Sequence, residues 1–97
     1  MAKTKLSPGS LLLDYIRNYN LNCNRVSKDI KCSQTALRLI SLDKSRITTS
    51  IAFRLAKYFG TKPELWLLAQ MDFDLKKAVY NKTLNNALKG ITKAKPK

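Results

Sequence analysis

Between Leu21 and Ile40 the apolar residues recur at helical intervals, lose phase once around Lys31-Cys32-Ser33, and resume on a new phase. The carriers are Leu21, Val26, Ile30, Cys32, Leu37 and Ile40. Two short helices meeting at an angle through a tight turn produce such a break, and the stretch Leu21 to Thr48 is therefore predicted to hold that pair. In such a pair the first helix braces the second, which buries one face and leaves polar residues on the other. Gln34, Thr35 and Arg38 fall on or beside that open face. Set in a chain of formal net charge +13, the pattern is that of a helix-turn-helix addressed to nucleic acid.

Charge alone leaves several polyanions open. Nineteen Lys and Arg against six acids set up an attractive field over about 8 Å at physiological salt, which suits DNA, RNA or an anionic membrane surface. The spanning-membrane reading fails on length, because the longest apolar runs, Leu11 to Leu13 and Leu65 to Ala69, fall far short of the roughly 20 residues a bilayer needs. Lys3 and Lys5 precede the three leucines, but Asp14 and Arg17 interrupt the segment before it reaches signal-peptide length. A cytoplasmic protein with no membrane partner is expected. Its 97 residues, 44% of them apolar, suit one domain with a single modest core.

Catalysis finds little to build on. Cys23 and Cys32 stand in a chain without histidine, so neither a zinc site of ordinary ligand spacing nor a Cys-His nucleophile can be assembled. Cys32 reads as a small buried thiol in the turn and Cys23 as a partly exposed helix residue. Asp72 and Asp74, two residues apart, point to different helix faces and make a poor acid–base pair. No enzyme, metal or cofactor is expected. A small basic ribonuclease would match the size and charge, but the chain lacks both histidine and any alternating stretch that reads as a strand.

Along the chain, residues 1–7 read as a flexible basic arm, residues 8–79 as a helix-turn-helix DNA-binding domain, and residues 80–97 as a lysine-rich, partly disordered tail. Leu11, Leu12, Tyr15, Ile16 and Tyr19 make the apolar stripe of a first helix. Candidate caps between Asn20 and Asn24 open a second helix whose Val26, Ser27 and Ile30 share one face, and Ser33 caps a third. Residues 43–48 are expected to be a polar loop, after which Thr48 or Thr49 caps a fourth helix with Ile51, Ala52, Leu55, Ala56 and Phe59 inward. Gly60 has the position of a left-handed C-terminal cap, and Pro63 with Glu64 starts a fifth helix running to about Val79. Leu65, Trp66, Leu68, Ala69, Phe73 and Leu75 on that helix exceed what one small core needs, which suggests a dimer contact. Trp66 itself reads as core. Leu84 and Leu88 allow a further helical turn or two, and residues 89–97 are expected to be disordered.

The segments SPGSLLLDYI, RITTSIAFRLAKYFGT and PELWLLAQMDFDLKKA, spread over Ser7 to Ala78, resemble the HigA family of antitoxins, a branch of the lambda-repressor-like helix-turn-helix proteins. The specific part is the coupling of Phe59-Gly60-Thr61 to Pro63, Glu64, Trp66, Leu67, Gln70, Phe73, Asp74 and Leu75. The resemblance implies an all-α, five-helix domain with a short basic C-terminal extension. It also implies a homodimeric repressor that binds its own promoter at a palindromic operator and neutralises a small HigB-like ribonuclease toxin. Carried over position by position, it puts the recognition helix at Ser33 to Ser41, with Ser33, Gln34, Thr35 and Arg38 toward DNA and Lys44 in the loop beyond.

Arg38 reads as a bidentate guanine contact, a phosphate contact or a solvated helix residue. Lys28 and Lys31 near the turn, with Lys44 and Arg46 in the loop, read as backbone clamps. Four positions depart from the family's pattern: Cys23 stands where glutamine is usual, Lys31 at the turn glycine, and Leu39 and Leu42 where Arg and Asn are common. Lys31 is expected to take a left-handed backbone or a slightly altered turn. Leu39 and Leu42 suit thymine methyls if they meet DNA, and otherwise favour a protein-interaction module in which DNA reading has decayed. A stand-alone regulator is the other alternative.

Overall fold

The computed structural model describes residues 7–96. Apart from Ser7, the expected N-terminal arm lies outside the described residues, as does Lys97. Six helices follow one another: α1 (Pro8–Asn18), α2 (Cys23–Asp29), α3 (Gln34–Ser41), α4 (Thr49–Phe59), α5 (Pro63–Val79) and α6 (Lys82–Lys89). The described residues contain no strand, and residues 91–96 carry no regular secondary structure.

Each start has a local cause. Ser7, Asn22, Ser33 and Thr48 sit in extended backbone, and their side-chain oxygens accept the amides of Ser10, Arg25, Ala36 and Ile51. α5 has no side-chain cap and relies on Pro63, whose fixed φ and missing N–H suit a first helical position, with Glu64 against the positive helix end. The expected count of five helices is corrected to six. Asn81 accepts the amide of Leu84 at 2.9 Å and so starts α6 within a stretch whose lysines made it read as a tail.

The stops share one geometry. Asn20, Lys31, Asp43 and Gly60 follow α1 to α4 in the left-handed region, with φ of 55°, 61°, 60° and 72°. After each, the next amide reaches back five residues: Leu21 to the Ile16 carbonyl, Cys32 to Ser27, Lys44 to Leu39 and Thr61 to Ala56, all between 2.9 and 3.0 Å. This closure satisfies the carbonyls a helix end leaves open and turns the chain sharply. Only Gly60 announces it by residue type.

Leu12, Ile16, Val26, Ile30, Leu37, Ile40, Ala52, Leu55, Ala56, Phe59 and Trp66 form the core. Trp66 is fully buried among Tyr15 and Phe59, and its indole N–H donates to Thr61 Oγ1 at 2.9 Å, so the polar end of the ring is satisfied. Two sequence expectations need correction here. Ile47, placed in a polar loop, is buried in the core, because the buried Gln70 side chain accepts its amide at 2.9 Å and draws the loop against α5. Cys32 is half-buried at the edge of the core, not enclosed in it, since the turn that carries it lies at the surface. α1 meets the end of α3 through Gly9, whose amide donates to Asp43 Oδ1 at 2.8 Å. A Cβ there would lie 2.6 Å from the Ser41 carbonyl oxygen, so the close approach requires glycine.

α5 buries Trp66 and Gln70 while Leu65, Leu68, Met71, Leu75 and Val79 are exposed. Leu68, Met71, Leu75 and Val79 fall at helical spacing along one side, an apolar stripe left over from the core. No residue of α6 is buried. Among the described residues no helix is long and apolar enough to cross a membrane.

Candidate nucleic-acid interface

α2 and α3 are held together from inside and open outward. Val26 and Ile30 of the first segment and Leu37 and Ile40 of the second point into the core, as the shifted apolar phase required. Ser27, also buried, donates its hydroxyl to the Asn24 carbonyl at 2.8 Å, which satisfies the one polar group on the inner face of α2. What remains on the outer face of α3 is Gln34, Thr35, Arg38, Leu39 and Leu42, all exposed.

The residues singled out from sequence are all at the surface: Ser33, Gln34, Thr35 and Arg38 on or capping α3, Lys28 on α2, Lys31 in the turn, and Lys44 and Arg46 after α3. Their freedom differs. Ser33 uses its hydroxyl oxygen as the α3 cap, accepting the Ala36 amide at 2.9 Å. Arg46 is engaged: its Nη1 donates to Asp74 Oδ2 at 2.5 Å, while the side chain stays 66% exposed. The backbone clamp expected of it is thus anchored to α5. Gln70 completes the arrangement by donating to the other Asp74 oxygen at 3.0 Å. Burial pushes the Asp74 carboxyl up, but the hydrogen bonds from Arg46 and Gln70, with the charges of Arg46 and Lys77, outweigh it and hold the group below the usual aspartate range.

Lys31 takes the left-handed alternative, with φ 61°. Two side chains of α4 meet the end of α2 there, and sequence reasoning passed over both. Arg54 Nη1 donates to the carbonyls of Ile30 and Lys31, each at 2.8 Å, and its Nε donates to Ser50 Oγ at 3.1 Å. Tyr58 donates its hydroxyl to Asp29 Oδ2 at 2.5 Å, and Arg25 Nε donates to the same oxygen at 2.9 Å. The Tyr58 and Arg25 hydrogen bonds hold the Asp29 carboxyl below its usual range, and the bond to Asp29 raises the Tyr58 phenol. The available signal was the spacing Ser50, Arg54, Tyr58 down one edge of α4, beside its apolar face. Lys31, Arg54 and Lys57, with the exposed Phe53 and the half-buried Tyr58, line an open groove of about 510 Å³ next to the turn. Burial raises the Cys32 thiol, only partly offset by the charge of Arg54, which makes it a poor nucleophile at neutral pH.

No family model matches the chain. Single proteins do. Virulence-associated protein I of Dichelobacter nodosus is 30% identical over 84 residues, which make up 86% of this chain and 78% of that protein. An addiction module antidote protein of a HigA family from Coxiella burnetii superposes with a TM-score of 0.79 at 29% identity, covering 95% of this chain and all of that one. Pseudomonas aeruginosa antitoxin HigA, solved with the higBA promoter, superposes with a TM-score of 0.80 at 21% identity over 92% of this chain and 97% of its own, a likeness of fold. Two successive helices with buried inner faces, an open polar face on the second and a cationic rim define the helix-turn-helix class. The chain belongs to one family with virulence-associated protein I, and the HigA-family antidote protein shares its fold.

Proposed function

We propose that this protein is a DNA-binding autorepressor and the antitoxin of a two-component module, neutralising a small HigB-like ribonuclease toxin. The observation that carries the DNA half is α3 itself, which presents Gln34, Thr35 and Arg38 on its exposed side with its inner side fixed in the core. In the proposed complex α3 enters the major groove, Arg38 meets a base edge or phosphate, and Ser33, Gln34 and Thr35 meet the backbone or an adenine edge. Lys28, Lys31 and Lys44 clamp the phosphate backbone, with Arg46 aimed by Asp74. Residues 8–79 form the reading domain, and residues 80–97 are an extension available to the toxin. The promoter bound to the Pseudomonas HigA supports operator DNA as the ligand. No cofactor takes part, and the protein acts in the cytoplasm.

The apolar stripe on α5 pairs two copies, so that two α3 helices reach successive major grooves about 34 Å apart on a palindromic operator. A second reading is favoured by Leu39 and Leu42, the latter 53% exposed on the reading face. On that reading α3 docks a protein and the general charge alone holds DNA.

Fluorescence anisotropy separates the two. The probe is duplex DNA from upstream of the protein's own gene, against a scrambled duplex, at about 150 mM salt, where non-specific affinity is about 10⁻⁴–10⁻⁶ M. A preference of about a thousandfold or more is expected for a sequence-reading repressor. Equal affinities would reject it and leave the protein-docking face.

A further inference from the structure

Three of the four left-handed helix stops carry side chains, and they are not equivalent. Asn20 and Asp43 belong to the residue types that visit this region readily, and Asp43 is further held from α1, whose Gly9 amide donates to its Oδ1. Lys31 has no such device. A strained backbone of this kind persists only where its surroundings over-determine it. At Lys31 the surroundings are Arg54, whose Nη1 holds the carbonyls on both sides of the left-handed residue's N–Cα–C unit, those of Ile30 and Lys31. Arg54 is itself oriented by Ser50. The two carbonyls sit at the end of α2, immediately before the Ser33 cap of α3, so the turn they define sets how α3 leaves α2.

We infer that Arg54 is a positioning residue for the reading helix: it locks Lys31 in the left-handed turn and thereby fixes the placement of α3. The consequence for operator recognition rests on the proposed function; the lock itself does not. Arg54 acts from α4 through the turn, and its guanidinium does the work that the absent glycine does by conformational freedom.

The test is a double-mutant cycle of Arg54→Ala with Lys31→Gly, with Arg54→Gln as a second removal of the guanidinium, each first checked for folding. Two readouts are taken on the full chain. Hydrogen exchange of the Cys32 amide, which bonds the Ser27 carbonyl at 2.9 Å across the turn, reports the lock without DNA. Its protection is expected to fall about fivefold or more on removing Arg54 and to change little when residue 31 is glycine. Anisotropy gives preference for upstream over scrambled DNA, which is expected to fall with Arg54 removal and recover in the double variant.

Equal loss of Cys32 protection in both backgrounds, or none in either, overturns the inference. So does a drop of about 0.9 in the log–log salt slope on Arg54 removal whatever stands at position 31, since that is the mark of a direct phosphate contact. If the wild-type chain shows no preference for its upstream DNA, the repressor reading falls while the Cys32 amide still decides the lock.

Discussion

Gln70 accepts the amide of Ile47 at 2.9 Å, a bond from the buried side of α5 to the backbone after α3. It is the means by which a loop of polar residues delivers one isoleucine to the core. Gln70→Ala leaves that amide without a partner and removes one donor from Asp74, so a loss of about 1–3 kcal/mol in urea denaturation is expected. Gln70→Glu keeps the acceptor but sets a second carboxylate against Asp74. It should therefore destabilise more at neutral pH than in mild acid.

Gly9→Ala is expected to be among the most damaging single-methyl substitutions in the chain. The added carbon would meet the Ser41 and Ile40 carbonyl oxygens and Asp43, all within 2.8 Å. Two of those atoms are backbone and cannot swing away. Gly60→Ala meets no neighbour and costs only the left-handed backbone, about 1–2 kcal/mol. A thermal melt that ranked Gly60→Ala as the worse of the two would contradict the seating of α1 against the end of α3.

On the DNA side, Arg38→Ala and Lys44→Ala should separate. The first is expected to reduce preference for the native duplex by an amount worth about 1–3 kcal/mol, with the melting temperature unchanged. The second is expected to weaken all duplexes alike and flatten the salt slope by about 0.9. Unchanged discrimination after Arg38→Ala would remove Arg38 from the base-reading set.

Acid should destabilise the fold through Asp74 and Asp29. Both have depressed folded-state values, below the ordinary 3.8. Their contribution is therefore complete above that value and is lost as pH falls through the lower, folded-state one. Between pH 5 and 8 no histidine is present to titrate. Melting temperatures should stay level across that range and drop below about pH 4. Asp74→Asn should shrink the acid drop, and an unaltered acid profile would count against the Arg46–Asp74–Gln70 arrangement.

Substituting Leu68 and Leu75 by lysine should leave the core intact, since both are more than half exposed, and should abolish self-association if the α5 stripe pairs two copies. Sedimentation of the wild type as a monomer at tens of micromolar would place the dimer contact elsewhere.

Much of the frame was legible because it rests on local chemistry. Ser33, Thr48 and Pro63 announce helix starts by residue type, Gly60 announces a stop, and the apolar phases of the second to fourth helices mark their inner faces. What escaped depends on contacts distant in sequence. Ile47 is buried only because Gln70 lies 23 positions on; Arg46 is restrained only because Asp74 folds back to it; Lys31 is braced by an arginine from another helix. The stops after α1 and α3 were hidden for a related reason: Asn20 and Asp43 do glycine's work without glycine's signature. Of the interface, the exposed residues on α3 could be read from periodicity, whereas the α4 side chains that brace its entry could not.

The enclosure of Trp66 also supplies an optical reporter. It is the chain's single tryptophan, fully shielded from water and within about 6 Å of two other aromatic rings, Tyr15 and Phe59. Its emission should be blue-shifted in the native protein and move to the red when the core admits solvent. Its aromatic neighbours belong to α1 and α4 and not to α3, so binding at α3 should leave the signal quiet. Folding and ligand occupancy can then be followed in one cuvette without a label, the first by indole emission and the second by the anisotropy of the DNA.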